Sequence, residues 1–151
     1  MNTSKETPEM AEALTIAERK AIEIFYSAWK LKQPELLDEV CTPDWQDIPL
    51  APGQAEGPRG LKDIITYFVV KFPDVEINIQ EIFGTHERAG VRAEIAFTHQ
   101  NEFLGIPPSG RKVAIALHEF HYLKNGKLTH TWHLEDWFHL LMQSGAWPVN
   151  S

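Results

Sequence analysis

A chain of 151 residues and 17.3 kDa, 43% apolar and 23% charged, suits one domain with its own hydrophobic core. Its 14 Lys/Arg against 21 Asp/Glu leave a formal charge of −7 and no basic cluster, so nucleic acid and anionic membranes are excluded as natural partners. The lone Cys41 excludes an intrachain disulfide and a thiolate metal site, the polar start lacks a secretory pattern, and no run reaches the ~20 apolar residues of a membrane span, which makes the cytoplasm the default compartment.

Residues 1–10 read as a disordered tail and 11–147 as a single domain. From Ala11 to Lys32 there is no Gly or Pro, and Leu14, Ala17, Ala21, Ile24, Phe25 and Ala28 recur at steps of three and four, predicting a long amphipathic helix. Pro34 suits the first turn of a short helix through Val40. Thr42 to Pro58 holds four prolines, two glycines and no helical period; it reads as a loop lying across the domain, with Trp45, Asp47 and Ile48 as pocket wall. Gly60 to Lys71 returns to helical spacing and ends before Pro73. The period then changes to two, with Val75, Ile77 and Ile79 on one strand and Val91, Ala93, Ile95 and Phe97 on the next, continued by His99. A turn-rich stretch, Gly105 to Gly110, leads into a strand from about Arg111 to Leu123, and Trp137 to Gln143 closes as a final helical turn. Helices first and an antiparallel meander second define an α+β chain, its curved sheet folded over the helices as a cone with a mouth.

Asn125-Gly126 between two alternating runs predicts a two-residue hairpin turn. Counting outward pairs Leu123 with Leu128, His121 with His130, Glu119 with Trp132, Leu117 with Leu134 and Ile115 with Asp136 on the more apolar, inner face. His118 and His133 pair on the outer face beside Phe120 and Tyr122, where exposed aromatics predict an interface between copies of the chain, as a homodimer or homotetramer. A register shift of one residue would exchange the two faces.

Several of these residues also form linked motifs. Phe72-Pro73-Asp74, Thr98-His99 and Gly105-Ile106-Pro107-Pro108-Ser109-Gly110-Arg111 occur in that order, followed by Asn125-Gly126-Lys127-Leu128, Trp132, Asp136 and Gln143-Ser144-Gly145. The chain thereby resembles the SnoaL-like polyketide cyclases of the nuclear-transport-factor-2-like superfamily, over roughly residues 15–146. The resemblance implies a cone-shaped α+β barrel, and ring closure by intramolecular aldol condensation on a polyketide ester without metal or organic cofactor. An Asp serves as acid/base in that chemistry, and Asp136, four residues after Trp132, matches its position. Asn101 and Ser109 depart from the pattern, where glycine and threonine are usual.

Asp136 is therefore the leading candidate base, its bland alternative being the N-cap of the helix that starts at Trp137. Glu119, His121 and His130 are the candidate helpers, stabilising an enolate or returning its proton; the alternatives are an arginine salt bridge for Glu119 and solvent exposure for the histidines. Trp132, His99, Tyr26, Trp29, Trp45, Phe68 and Phe97 are candidates for an aromatic pocket around a small hydrophobic carbonyl substrate, and core packing explains them as well. Cyclisation, isomerisation and lyase chemistry share proton removal as a first step. A non-catalytic binding module and a cofactor-free hydroxylase are the other readings of the same cone.

Overall fold

The computed structural model describes residues 12–147, so the tail assigned to residues 1–10 lies outside the described residues. Helix α1 runs Ile16–Lys30, a 3-10 turn Pro34–Leu36 leads into α2 (Leu37–Val40), α3 is Gly57–Lys71 and α4 is Trp137–Gln143. The strands are β1 (Cys41–Ile48), β2 (Glu76–Thr85), β3 (Arg88–Thr98), β4 (Lys112–Lys124) and β5 (Lys127–Glu135). They form one sheet in the order β1-β5-β4-β3-β2, with α1 and α3 packed against it.

Two features correct the reading from sequence. Helix α1 begins five residues after Ala11 because Thr15 and Glu18 form a capping box: the Thr15 hydroxyl accepts from Glu18 N at 3.0 Å and Glu18 Oε1 accepts from Thr15 N at 3.2 Å. The supposed loop after Thr42 contains β1, which pairs in parallel with β5, so the sheet is mixed and is not closed into a barrel. Prolines obscured that strand, yet Pro43 is tolerated because β1 is a sheet edge.

Strands β3 and β4 follow the predicted alternation. Val91, Ala93, Ile95 and Phe97 are buried on β3, as are Val113, Ile115, Leu117, Glu119, His121 and Leu123 on β4. These faces meet Phe25 and Tyr26 of α1 and Phe68 of α3, and Phe68 packs against Trp29, Phe72, Phe97 and Phe103 with ring centroids 5.0–5.6 Å apart.

The motif residues hold this frame together. Asp74 accepts from Thr98 N at 3.0 Å and from Thr98 Oγ1 at 2.6 Å, fixing the start of β2 to the end of β3. The carbonyl of His99 accepts from Ser109 N and Gly110 N, closing the loop ahead of β4. The Gln143 side chain donates to Ala114 O at 2.7 Å and accepts from Ala114 N at 3.0 Å, docking α4 on β4, while Arg111 Nη1 donates to Gln143 O at 2.8 Å. Removing the α1 cap isolates one such local contribution: Thr15→Ala is expected to lower stability by about 1 kcal/mol in denaturant unfolding, and an unchanged midpoint would contradict the capping role.

Candidate active site

The hairpin turn is as counted. Asn125 and Gly126 both take positive φ, 51° and 77°, and Lys124 pairs with Lys127 and Leu123 with Leu128. The next pair, however, is Tyr122 with His130, leaving Thr129 as an extra residue in β5. This bulge reverses the facing of every later β5 residue while leaving β4 unchanged. Thr131, His133 and Glu135 consequently turn inward, and Glu119 faces His133.

Six of the predicted placements change as a result or for local reasons. His130 and Trp132 lie on the outer face, stacked on each other at 5.6 Å with 12° between rings. Leu134 is 71% exposed. Asp136 is exposed and caps α4, its Oδ1 accepting from His139 N at 3.2 Å, and it does not line the interior cavity. His133, placed outside by the count, lies inside. His99 is fully buried at the end of β3, Nδ1 engaged by Ser109, away from the cavity; its Nε2 is the one buried side-chain polar atom without a partner among the described residues.

The cavity holds about 330 Å³ between the sheet and helices α1 and α3. Tyr26, Trp29 and Phe68 line it as predicted, joined by Phe25, Phe103 and Trp137. Phe97 and Trp45 belong instead to the packed layer behind it. One end of the cavity is polar and carries Asp47 from β1, Glu119 from β4 and Thr131, His133 and Glu135 from β5. Of these, Asp47 and Glu119 are the two that the sequence places at the pocket. Nothing local marks the others, since a bulge depends on the packing of both neighbouring strands.

Charge balance at this end is set by one imidazole among three carboxyl groups. His133 Nδ1 meets Glu135 Oε1 at 2.7 Å, and Nε2 donates to the Pro49 carbonyl at 2.6 Å. The Glu135 hydrogen bond holds His133 protonated up to about 9, against the desolvation that would neutralise it. Asp47, its carboxyl bonded by Gln54 Nε2 at 2.7 Å, sits 3.6 Å from His133 Nε2, and burial raises its pKa above the ordinary value. Glu119 is only 7% exposed and has no arginine partner: Arg92 pairs with Glu81, and Arg111 is bound to Gln143 O. Burial, helped by the charge of Glu135, pushes Glu119 up to about 8, while His133 and the Tyr26 hydroxyl pull it back.

Behind Glu119, the Tyr26 hydroxyl lies 3.0 Å from Oε2 and 2.7 Å from His121 Nε2. His121 is fully buried, and desolvation lowers its pKa to about 3, so it is neutral at physiological pH. Among the described residues no three His, Cys, Asp or Glu side chains are grouped to hold a metal ion.

The raised Glu119 pKa has a stability consequence. Between about 4.5, its ordinary value, and about 8 the folded state binds this proton more tightly than the unfolded chain, so that contribution to stability is present at low pH and lost as pH rises through the window. Glu119→Gln, which cannot titrate, is therefore expected to gain several degrees of Tm relative to the parent between about pH 5 and about pH 8.5; a constant gap would contradict the buried, protonated acid.

Comparison with known proteins places this geometry in a family. Residues 19–144 match the family model described as SnoaL-like polyketide cyclase. TsrD from Streptomyces laurentii is similar in structure at a TM-score of 0.78 and 23% identity, covering 88% of this chain and 98% of its own. IdmH from Streptomyces antibioticus, a proposed polyketide cyclase, gives 0.76 at 25% identity, with 85% and 98% covered. AclR from Streptomyces galilaeus, a proposed hydroxylase, gives 0.73 at 21%, with 89% and 88% covered. A sequence search of curated proteins gave no match. The chain belongs to the SnoaL-like polyketide cyclase family.

Proposed function

We propose that this protein is a cofactor-independent enzyme that removes a proton alpha to a carbonyl, with Glu119 as the acid/base group. The observation that carries the reading is a carboxyl buried at the polar end of an otherwise aromatic cavity, where desolvation pushes its pKa up to about 8. Glu119 takes the α-proton, and the protonated His133 next to it stabilises the negative charge that develops on the carbonyl oxygen. In a cyclisation the enolate carbon then attacks a second carbonyl of the same molecule, and Glu119 returns the proton to the new alkoxide. Returning it to a different carbon of a conjugated enolate instead gives isomerisation. The 330 Å³ space suits an uncharged bicyclic or tricyclic substrate, because three carboxyl groups at the polar end disfavour an acid. Similarity to AclR supports a second outcome, in which the same deprotonation prepares an electron-rich ring for reaction with oxygen.

The test is solvent-deuterium uptake at the α-carbon of a panel of bicyclic and tricyclic aryl ketones. Catalysed exchange is expected, with kcat/KM rising as pH increases towards about 8 because the base must be ionised. Glu119→Gln should reduce it by about 100-fold or more, and Asp136→Asn by less than a few-fold. Exchange surviving in Glu119→Gln, or lost in Asp136→Asn with the fold intact, would refute the assignment.

We also propose that a second copy of the chain covers the outer sheet face, where Phe83, Phe120, Tyr122 and Leu134 are exposed. Light scattering should give a multiple of the 17.3 kDa chain mass, and Phe120→Glu should shift it towards the monomer. A parent protein that is monomeric at micromolar concentration would overturn this.

A further inference from the structure

From the polar end of the cavity, where Glu119, Tyr26 and Thr131 line it, into the core that holds His121 and Trp45, five side chains from four elements form one unbranched hydrogen-bonded row. Trp45 Nε1 donates to Thr131 Oγ1 at 3.0 Å, Thr131 Oγ1 lies 2.8 Å from His121 Nδ1, His121 Nε2 lies 2.7 Å from Tyr26 Oη, and Tyr26 Oη lies 3.0 Å from Glu119 Oε2. Trp45, Tyr26, His121 and Thr131 are all at most 2% exposed, so water does not compete along it.

The direction of this row follows from donor inventory. An indole N–H can only donate, so Thr131 accepts from Trp45. The Thr131 hydroxyl hydrogen then has one acceptor within reach among the described residues, His121 Nδ1. Nδ1 accepting means that the neutral ring carries its proton on Nε2. That N–H donates to the Tyr26 oxygen, which frees the phenol hydrogen for Glu119 Oε2. The reverse direction would leave the Thr131 hydrogen unused in a dry site, at the desolvation penalty of an unmade bond. Glu119 Oε1 has no protein partner among the described residues, and its side chain lines the cavity.

We propose that His121 is a positioning residue, locked as the Nε2–H tautomer by the Trp45–Thr131 pair, which aims the Tyr26 hydroxyl at Glu119 Oε2 and leaves Oε1 as the single oxygen that exchanges a proton with substrate. The inference rests on Glu119 being the base. It assigns work to Trp45 and Thr131, neither of which touches Glu119, and explains why a histidine that stays neutral occupies the centre of the core. The other groups facing Glu119 are His133 and Glu135 of β5 and Asp47 of β1, and they act on its charge without entering the row.

Two measurements on the full chain decide it. Long-range nitrogen–proton NMR on labelled protein should show His121 with a protonated Nε2 and a bare Nδ1 from about pH 5 to about pH 9. A proton on Nδ1, or on both nitrogens, overturns the direction and with it the proposal. Carboxyl-carbon titration of Glu119 should then show its pKa raised by about one unit in Thr131→Val, a tenfold change in ionisation, because the row no longer directs the phenol to the carboxylate. Thr131→Ser, which keeps the hydroxyl, should restore the parent value. Equal Glu119 values in Thr131→Val and the parent also overturn it. If Thr131→Val does not fold, the tautomer in the parent protein decides alone. Loss of exchange in Glu119→Gln tests the base and the His121 tautomer tests the row, so either can fail while the other stands.

Discussion

The inner face of β5 is the constraint on which the site depends. This strand lies between β4, with which it is antiparallel, and the edge strand β1, with which it is parallel, so both of its backbone edges are committed and its side chains have two choices of side. Thr129, present as one extra residue, makes the choice. With it, Thr131, His133 and Glu135 enter the cavity beside Glu119. Without it, His130, Trp132 and Leu134 would occupy those positions, giving a more apolar interior with Trp132 in place of His133 opposite Glu119. Leu134, sent outside by the bulge, then joins Phe83, Phe120 and Tyr122 on the exposed face on which a partner copy is proposed.

Placing several ionisable groups at one end of an apolar cavity is expensive unless their charges are managed. Two devices are visible. His133, bonded to Glu135 and to the Pro49 carbonyl, stays cationic and compensates one carboxylate. Glu119, a buried carboxyl at that end, meets the remaining imbalance by holding its proton to higher pH. A group that carries its proton near neutrality is also one that can exchange it with a bound molecule, so the same desolvation that disfavours the charge creates the capacity for chemistry.

The legible parts of this molecule were those governed by local periodicity. Helical spacing located α1 and α3, alternation located β3 and β4, and Asn125-Gly126 fixed the turn. The family motifs were legible too, but Asp74, Thr98, Ser109 and Gln143 hold strands and loops together, so they report the frame more than the reaction. The half of the candidate site on β4 could be read because β4 runs without interruption, so Glu119 and His121 fall on the inner face that the alternation predicts. The half on β5 could not. Leu128, His130, Trp132 and Leu134 are the more apolar set, and apolarity argues for burial; the bulge that overrules it is a property of three packed strands, not of the residues around Thr129. Likewise the Gly- and Pro-free run from Ala11 hid the cap that Thr15 and Glu18 form, and the prolines near β1 hid a strand that its parallel pairing with β5 reveals.

If the bulge and the raised Glu119 carboxyl together define the reacting centre, a bound carbonyl compound must present its α-carbon to that group. The most direct measurement is a crystal structure with an aryl ketone bound. The α-carbon is expected within about 3.5 Å of Glu119 Oε1, with the carbonyl oxygen turned towards His133. A ketone held with its α-carbon against Asp136, or seated in the aromatic part of the cavity with no approach to Glu119, would contradict it.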